Sequence, residues 1–98
     1  MPPHQNEIPL EDAIVLTQRY KANHAGGTIR AFQFDASVIS TLMEQANASG
    51  FRAYLGEEPD KSLVLILVAT NENLQDLTGV VMNHGRRCPN TCDETSPL

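Results

Sequence analysis

An α+β fold, two helices packed on a small, mainly antiparallel sheet of three or four strands, is predicted by three observations. Leu63 to Ala69 is an unbroken apolar run rich in β-branched residues. Two other segments carry apolar residues at helical spacing, and two more alternate apolar with polar side chains.

Residues 1–8 are polar and proline-bearing, as expected of a flexible arm, and residues 9–98 then read as one domain. Leu10, Ala13, Ile14, Thr17 and Tyr20 form the stripe of a first helix from about Pro9 to Asn23. Pro9 at the first position needs no amide partner, and Glu11 and Asp12 lie against the positive end of the helix dipole. Gly26-Gly27 closes that segment. Ile29 to Phe34 alternates and predicts a strand. Asp35 follows as the cap of a second helix whose stripe is Val38, Ile39, Leu42, Met43 and Ala46, with Phe34 placed to staple onto Ile39. Gly50 stands where a left-handed residue ending that helix is expected.

Phe51 to Glu57 alternates again, and Glu58-Pro59-Asp60-Lys61 supplies a turn into the apolar run. A strand apolar on both faces needs cover on both. The two helices can protect one; the other must meet the C-terminal segment or a second copy of the chain. Leu77 to Met82 is apolar and fits either a strand or a helix. His84 to Leu98 is polar and irregular.

A chain of 98 residues supports one core, and its 41% apolar and 19% charged residues are those of an ordinary folded domain. The net charge of −5 is evenly spread, and the one adjacent cationic pair, Arg86-Arg87, is followed by Asp93 and Glu94. Clustered cations are what bind phosphate backbones and anionic lipid surfaces, so neither nucleic acid nor membrane is an expected partner. The apolar run is about a third of a membrane span, and the first residues lack the basic and apolar regions of a secretory signal, which makes the cytoplasm the expected location.

Chemistry concentrates in His84-Gly85-Arg86-Arg87-Cys88-Pro89-Asn90-Thr91-Cys92. Were this stretch helical, His84, Cys88 and Cys92 would share a face and offer zinc two thiolates and an imidazole, with a fourth ligand to come from His24, His4 or Asp93. The preferred reading is that Cys88 and Cys92 pin a short turn, as packed thiols or as a local disulfide. The three-residue spacing differs from that of a thioredoxin-type pair. Arg86 and Arg87 would raise the thiolate fraction of Cys88, but no orienting third group completes a nucleophilic site, and no catalytic residue is assigned. Gly26-Gly27 precedes a strand, whereas phosphate-binding glycines follow one. Arg52 and Tyr54, on the polar side of their strand with Arg30 as a neighbour, form a candidate anion-binding surface.

Ile8-Pro9-Leu10-Glu11-Asp12-Ala13, Phe34-Asp35, Arg52-Ala53-Tyr54, Leu67-Val68-Ala69 and the ending Cys88-Pro89-x-x-Cys92 with Ser96-Pro97-Leu98 resemble, in that order, a family of small uncharacterised bacterial proteins. The resemblance spans nearly the whole chain and implies that residues 84–98 belong to the domain. It carries no activity, substrate or cofactor across. The reading of function that follows is a non-catalytic interaction or small-ligand-binding module that self-associates as a homodimer. The alternative is a thiol-redox or metal-binding protein using His84, Cys88 and Cys92.

Overall fold

The fold is α+β, with two helices and two small antiparallel sheets, in the computed structural model, which describes residues 4–98. The first three residues of the expected arm lie outside that range. The elements in chain order are α1 (Leu10–Ala22), β1 (Ala31–Gln33), α2 (Ala36–Met43), β2 (Gly50–Glu57), β3 (Leu63–Thr70), β4 (Asp76–Met82) and β5 (Arg86–Cys88). β2, β3 and β4 form one sheet with β3 at its centre; β1 and β5 form a separate ribbon.

Helix α1 starts where the sequence places it. The amides of Asp12 and Ala13 donate to the Pro9 carbonyl, acidic Glu11 and Asp12 fill the first turn, and Arg19 and Lys21 the last, so both ends suit the dipole. It has no buried residue. Helix α2 is shorter than its stripe predicts: it ends at Met43, and Asn47 adopts the positive φ of 69° that Gly50 was expected to supply. Gly50 is thereby free to open β2, one residue before the predicted start. Asp35 occupies the cap position, but its side chain accepts no capping hydrogen bond; the Val38 amide donates to the Asp35 carbonyl.

Strand β3 covers the predicted residues, and Leu77 to Met82 resolves as β4, its pairing with β3 interrupted by an irregularity opposite Val68 and Ala69. Directly paired residues of antiparallel strands share a face. The register therefore puts Leu63, Leu65, Leu67 and Ala69 of β3 on one face, with Phe51, Ala53 and Leu55 of β2 beside them. Val64, Ile66, Val68 and Thr70 lie on the other, with Arg52 and Tyr54.

The core occupies half of the first face. Leu42 of α2 and Ala69 are fully buried and Leu67 is 3% exposed, with Val38, Ile39, Met43 and Phe34 packed around them. Cover on this half of the face comes from α2. Helix α1 stands off, holding the C-terminal segment through Gln18 and Lys21, whose side chains donate to the backbone oxygens of Pro97 and Leu98.

Two loops close through carboxylates. Asp60, in the β2–β3 turn, accepts from the amide and hydroxyl of Ser62; Asp93 accepts from the amide and hydroxyl of Thr95. Those bonds favour the ionised form and hold both carboxyls below the usual carboxylate range. With the folded value depressed, the stabilisation is complete above the unfolded value of about 3.9 and is lost as pH falls through the folded value. The urea midpoint is accordingly expected to be level above about pH 5 and to fall below about pH 4. An Asp60→Asn, Asp93→Asn variant should show a shallower acid limb; an unchanged limb would mean that these turns are not linked to folding.

Candidate functional site

The residues singled out in the sequence fall into two groups. Arg52 and Tyr54 stand on β2, two residues apart on one face, and both reach Asp76 at the start of β4. The Arg52 guanidinium lies 2.5 Å from one Asp76 carboxylate oxygen and also donates to the Leu74 carbonyl at 3.1 Å; the Tyr54 hydroxyl donates to the other carboxylate oxygen. The Tyr54 hydroxyl first, and the Asp76 charge after it, hold the guanidinium above its ordinary value.

Because β3 runs between β2 and β4, both side chains cross over it to reach Asp76. This explains why Val68 is only 4% exposed on a face that no helix covers. The stems of Arg52 and Tyr54 shield it, while their polar ends meet at the carboxylate. The cluster is internally neutralised, with its strongest donors already engaged. Arg30 does not join it: its guanidinium lies in the other sheet's neighbourhood, 3.7 Å from the Cys92 sulfur. The three residues expected to form one anion-binding surface are thus divided between two places.

The second group surrounds the C-terminal segment. Cys88 and Cys92 form a disulfide, and Cys88 is 6% exposed while Cys92 is half-buried. In this state neither sulfur is a thiolate. The helical arrangement considered for His84, Cys88 and Cys92 is replaced by an extended one, because Arg86–Cys88 is strand β5, paired with β1. His84 is exposed in the segment before it, with a positive φ of 62°. Among the described residues, no three His, Cys, Asp or Glu side chains converge to hold an ion. The cation beside the sulfurs is Arg30, not Arg86 or Arg87.

Between this ribbon, α1 and the uncovered half of the sheet runs a groove of about 710 Å³. Leu55, Leu63 and Leu65 form its floor, Leu16 and Tyr20 one wall, and Cys88, Cys92 and Leu98 part of the other. It lies on the same sheet face as α2, so the C-terminal segment adds to cover already present there and leaves Val64 and Ile66 on the opposite face half-exposed. Two exposed apolar side chains line the groove, Leu55 (76% exposed) and Leu16 (54%), and Phe51 (51%) is exposed farther along β2 on the same face. No protein-family model, curated protein or solved structure matches the chain. Among the described residues, no helix is long and apolar enough to cross a membrane.

Asp76 and the Arg30–Cys92 contact are the site features that sequence reasoning missed. Asp76 lies opposite Thr70, two positions along from the Val68 that pairs with Arg52, and the irregularity in β4 that sets this register has no sequence signal. Arg30 and Cys92 are 62 positions apart with no intervening pattern to join them.

Proposed function

We propose that the protein is a non-catalytic interaction module that self-associates through the apolar surface beside β3. One observation carries this reading: the chain exposes 7453 Å², whereas a compact monomer of 10.8 kDa exposes about 5,500 Å². The excess, about 1,900 Å² per chain, is more than the roughly 800 Å² that each partner contributes to a standard-size interface and falls in the range of larger, obligate ones. The radius of gyration of 15.5 Å, against about 13 Å for a compact domain of this length, points the same way. Exposed Leu55, Leu16 and Phe51 give that surplus its apolar character. Sedimentation equilibrium between about 1 and 100 µM is expected to show a reversible rise to twice the monomer mass. A monomer throughout would overturn the reading.

A second reading is favoured by the guanidinium of Arg30 beside Cys92. It is thiol–disulfide exchange in the cytoplasm, where a short disulfide serves as a reducible pair rather than a permanent staple. An incoming thiolate from a cellular dithiol attacks the more exposed Cys92 sulfur, the S–S bond breaks, and Cys88 leaves as a thiolate that takes a proton. The reductant's second thiol then resolves the mixed disulfide and expels Cys92 as a thiolate facing Arg30. Two electrons and one proton pass to the protein, the proton resting on Cys88 and Cys92 remaining a thiolate beside Arg30, while the dithiol, its attacking thiol already ionised, gives up its remaining proton and becomes a disulfide. Arg30→Gln should raise the pKa of Cys92 in the reduced protein and slow its alkylation near neutral pH by up to about tenfold, with Arg30→Lys restoring most of the rate. Identical pH profiles for the three proteins would exclude the exchange role.

A further inference from the structure

The two sheets have four edges, and they are not equivalent. β1 and β5 are three-residue strands, too short to template another chain. β4 carries the irregularity that puts Thr78, Gly79 and Val80 out of register with β3, the kind of bulge that natural sheets use to blunt an edge. β2 has none of these guards. It is eight residues long, regular along its whole pairing with β3, free of proline, and unpaired on its outer side. It also carries Leu55 and Phe51, two of the exposed apolar side chains that give the chain its surplus surface.

We propose that two copies of the chain join edge to edge through β2, in antiparallel register about a two-fold axis at Ala53, making one six-stranded sheet. This rests on the self-association reading and supplies its geometry. A two-fold axis perpendicular to the sheet keeps each side chain on its own face, so an odd-numbered residue must oppose an odd-numbered one. Centring the axis on Ala53 sets Phe51 against Leu55 of the partner subunit, twice, and Arg52 against the partner's Tyr54, twice. The alternatives are poorer. An axis at Arg52 sets Phe51 only against the partner's Ala53 and Leu55 against the partner's Ser49, so neither large apolar side chain meets another. An axis at Tyr54 sets Phe51 against the carboxylate of the partner's Glu57 and leaves no apolar partner for it. Only the Ala53 register pairs Phe51 with Leu55, whose aromatic and aliphatic side chains then continue the apolar floor of the groove from one subunit toward the other.

The test is a cross-link at the axis. Directly opposed residues have Cα atoms about 4.5 to 5.5 Å apart, within disulfide reach, and Ala53 is exposed, so Ala53→Cys fits the folded chain. At concentrations where the unmodified protein sediments as a dimer, mild oxidation of Ala53→Cys should convert most of the chain to a covalent dimer. Leu74→Cys, equally exposed in the turn before β4, should remain largely monomeric on the same gel. In the otherwise natural chain, Leu55→Lys should weaken dimerisation by at least about tenfold in dissociation constant, with an unchanged circular dichroism spectrum. A dimer in which Ala53→Cys cross-links no faster than Leu74→Cys, or that Leu55→Lys leaves intact, would overturn the β2 interface while leaving self-association standing. A monomer in sedimentation at every concentration would remove both.

Discussion

Leu42→Ala is expected to destabilise the protein more than any other single truncation, by about 2 to 5 kcal/mol. Leu42 is fully buried, the largest such side chain, and it stands where α2 meets Leu67 and Ala69 of the central strand. Removing it takes away the transfer energy of its side chain and leaves a cavity that few neighbours can fill. Ala69 is too small to move in, and the backbone of β3 is fixed by strands on both sides. The cost is high relative to the whole because the buried helical residue of the core comes from α2, and α1 buries nothing completely. For a domain of this size each kcal/mol is about 4 to 8 °C of melting temperature, so a fall of at least about 10 °C is expected. Leu42→Met, which keeps the volume, should cost less than about 1.5 kcal/mol. Val15→Ala on α1, at a side chain that is 54% exposed, should change stability by no more than about 0.5 kcal/mol in the monomer. Urea unfolding of the three variants at one protein concentration checks the order. Equal losses for Leu42→Ala and Val15→Ala would show that the core is shared between the helices.

That asymmetry marks how far the sequence could be read. The apolar run at β3, the alternation of β2 and the stripe of α2 are local patterns, and each of these elements forms close to where its pattern lies. The α+β class follows from them. What local pattern could not convey is which helix reaches the sheet. Leu10, Ala13, Ile14, Thr17 and Tyr20 of α1 recur at helical spacing, as do Val38, Ile39 and Leu42 of α2, yet only α2 contributes a buried residue, because it follows directly on β1 and leads directly into β2. Periodicity specifies a face and leaves its partner unspecified. Part of the cover over the second face of β3 was missed for a related reason. It was sought in another segment or another subunit, and part of it comes from within the sheet, from Arg52 and Tyr54 reaching to Asp76. Long amphipathic side chains that shield a neighbour while pairing at their tips leave no hydrophobic signature. Reading His84 to Leu98 as irregular missed the strand Arg86–Cys88, which β1 stabilises from more than 50 residues away.

Removing the disulfide, as Cys88→Ala with Cys92→Ala, carries the second large expected effect, about 2 kcal/mol. Closing a loop of this size in the unfolded chain accounts for a penalty of that order when the link is lost. Its structural consequence should be local. The ribbon of β1 and β5 has three residues in each strand, extended by one bond from the Arg30 amide to the Cys88 carbonyl, and an isolated two-stranded pairing is marginal in water. Cys88 pairs with Ala31 within that ribbon, so the disulfide fastens one end of the pairing to the turn that follows, where the Thr91 amide donates to the Arg87 carbonyl. Without it, amides of Ala31–Gln33 and Arg86–Cys88 should exchange with solvent much faster, while those of Leu67–Thr70, held in the core, should slow or quicken only with global stability. The same opening would remove one wall of the groove and carry Arg30 away from the position of Cys92. Exchange that rises uniformly across the chain would show instead that ribbon and sheet unfold as one unit, and the C-terminal segment would then be part of the core's cooperativity rather than a separately fastened lip of the groove.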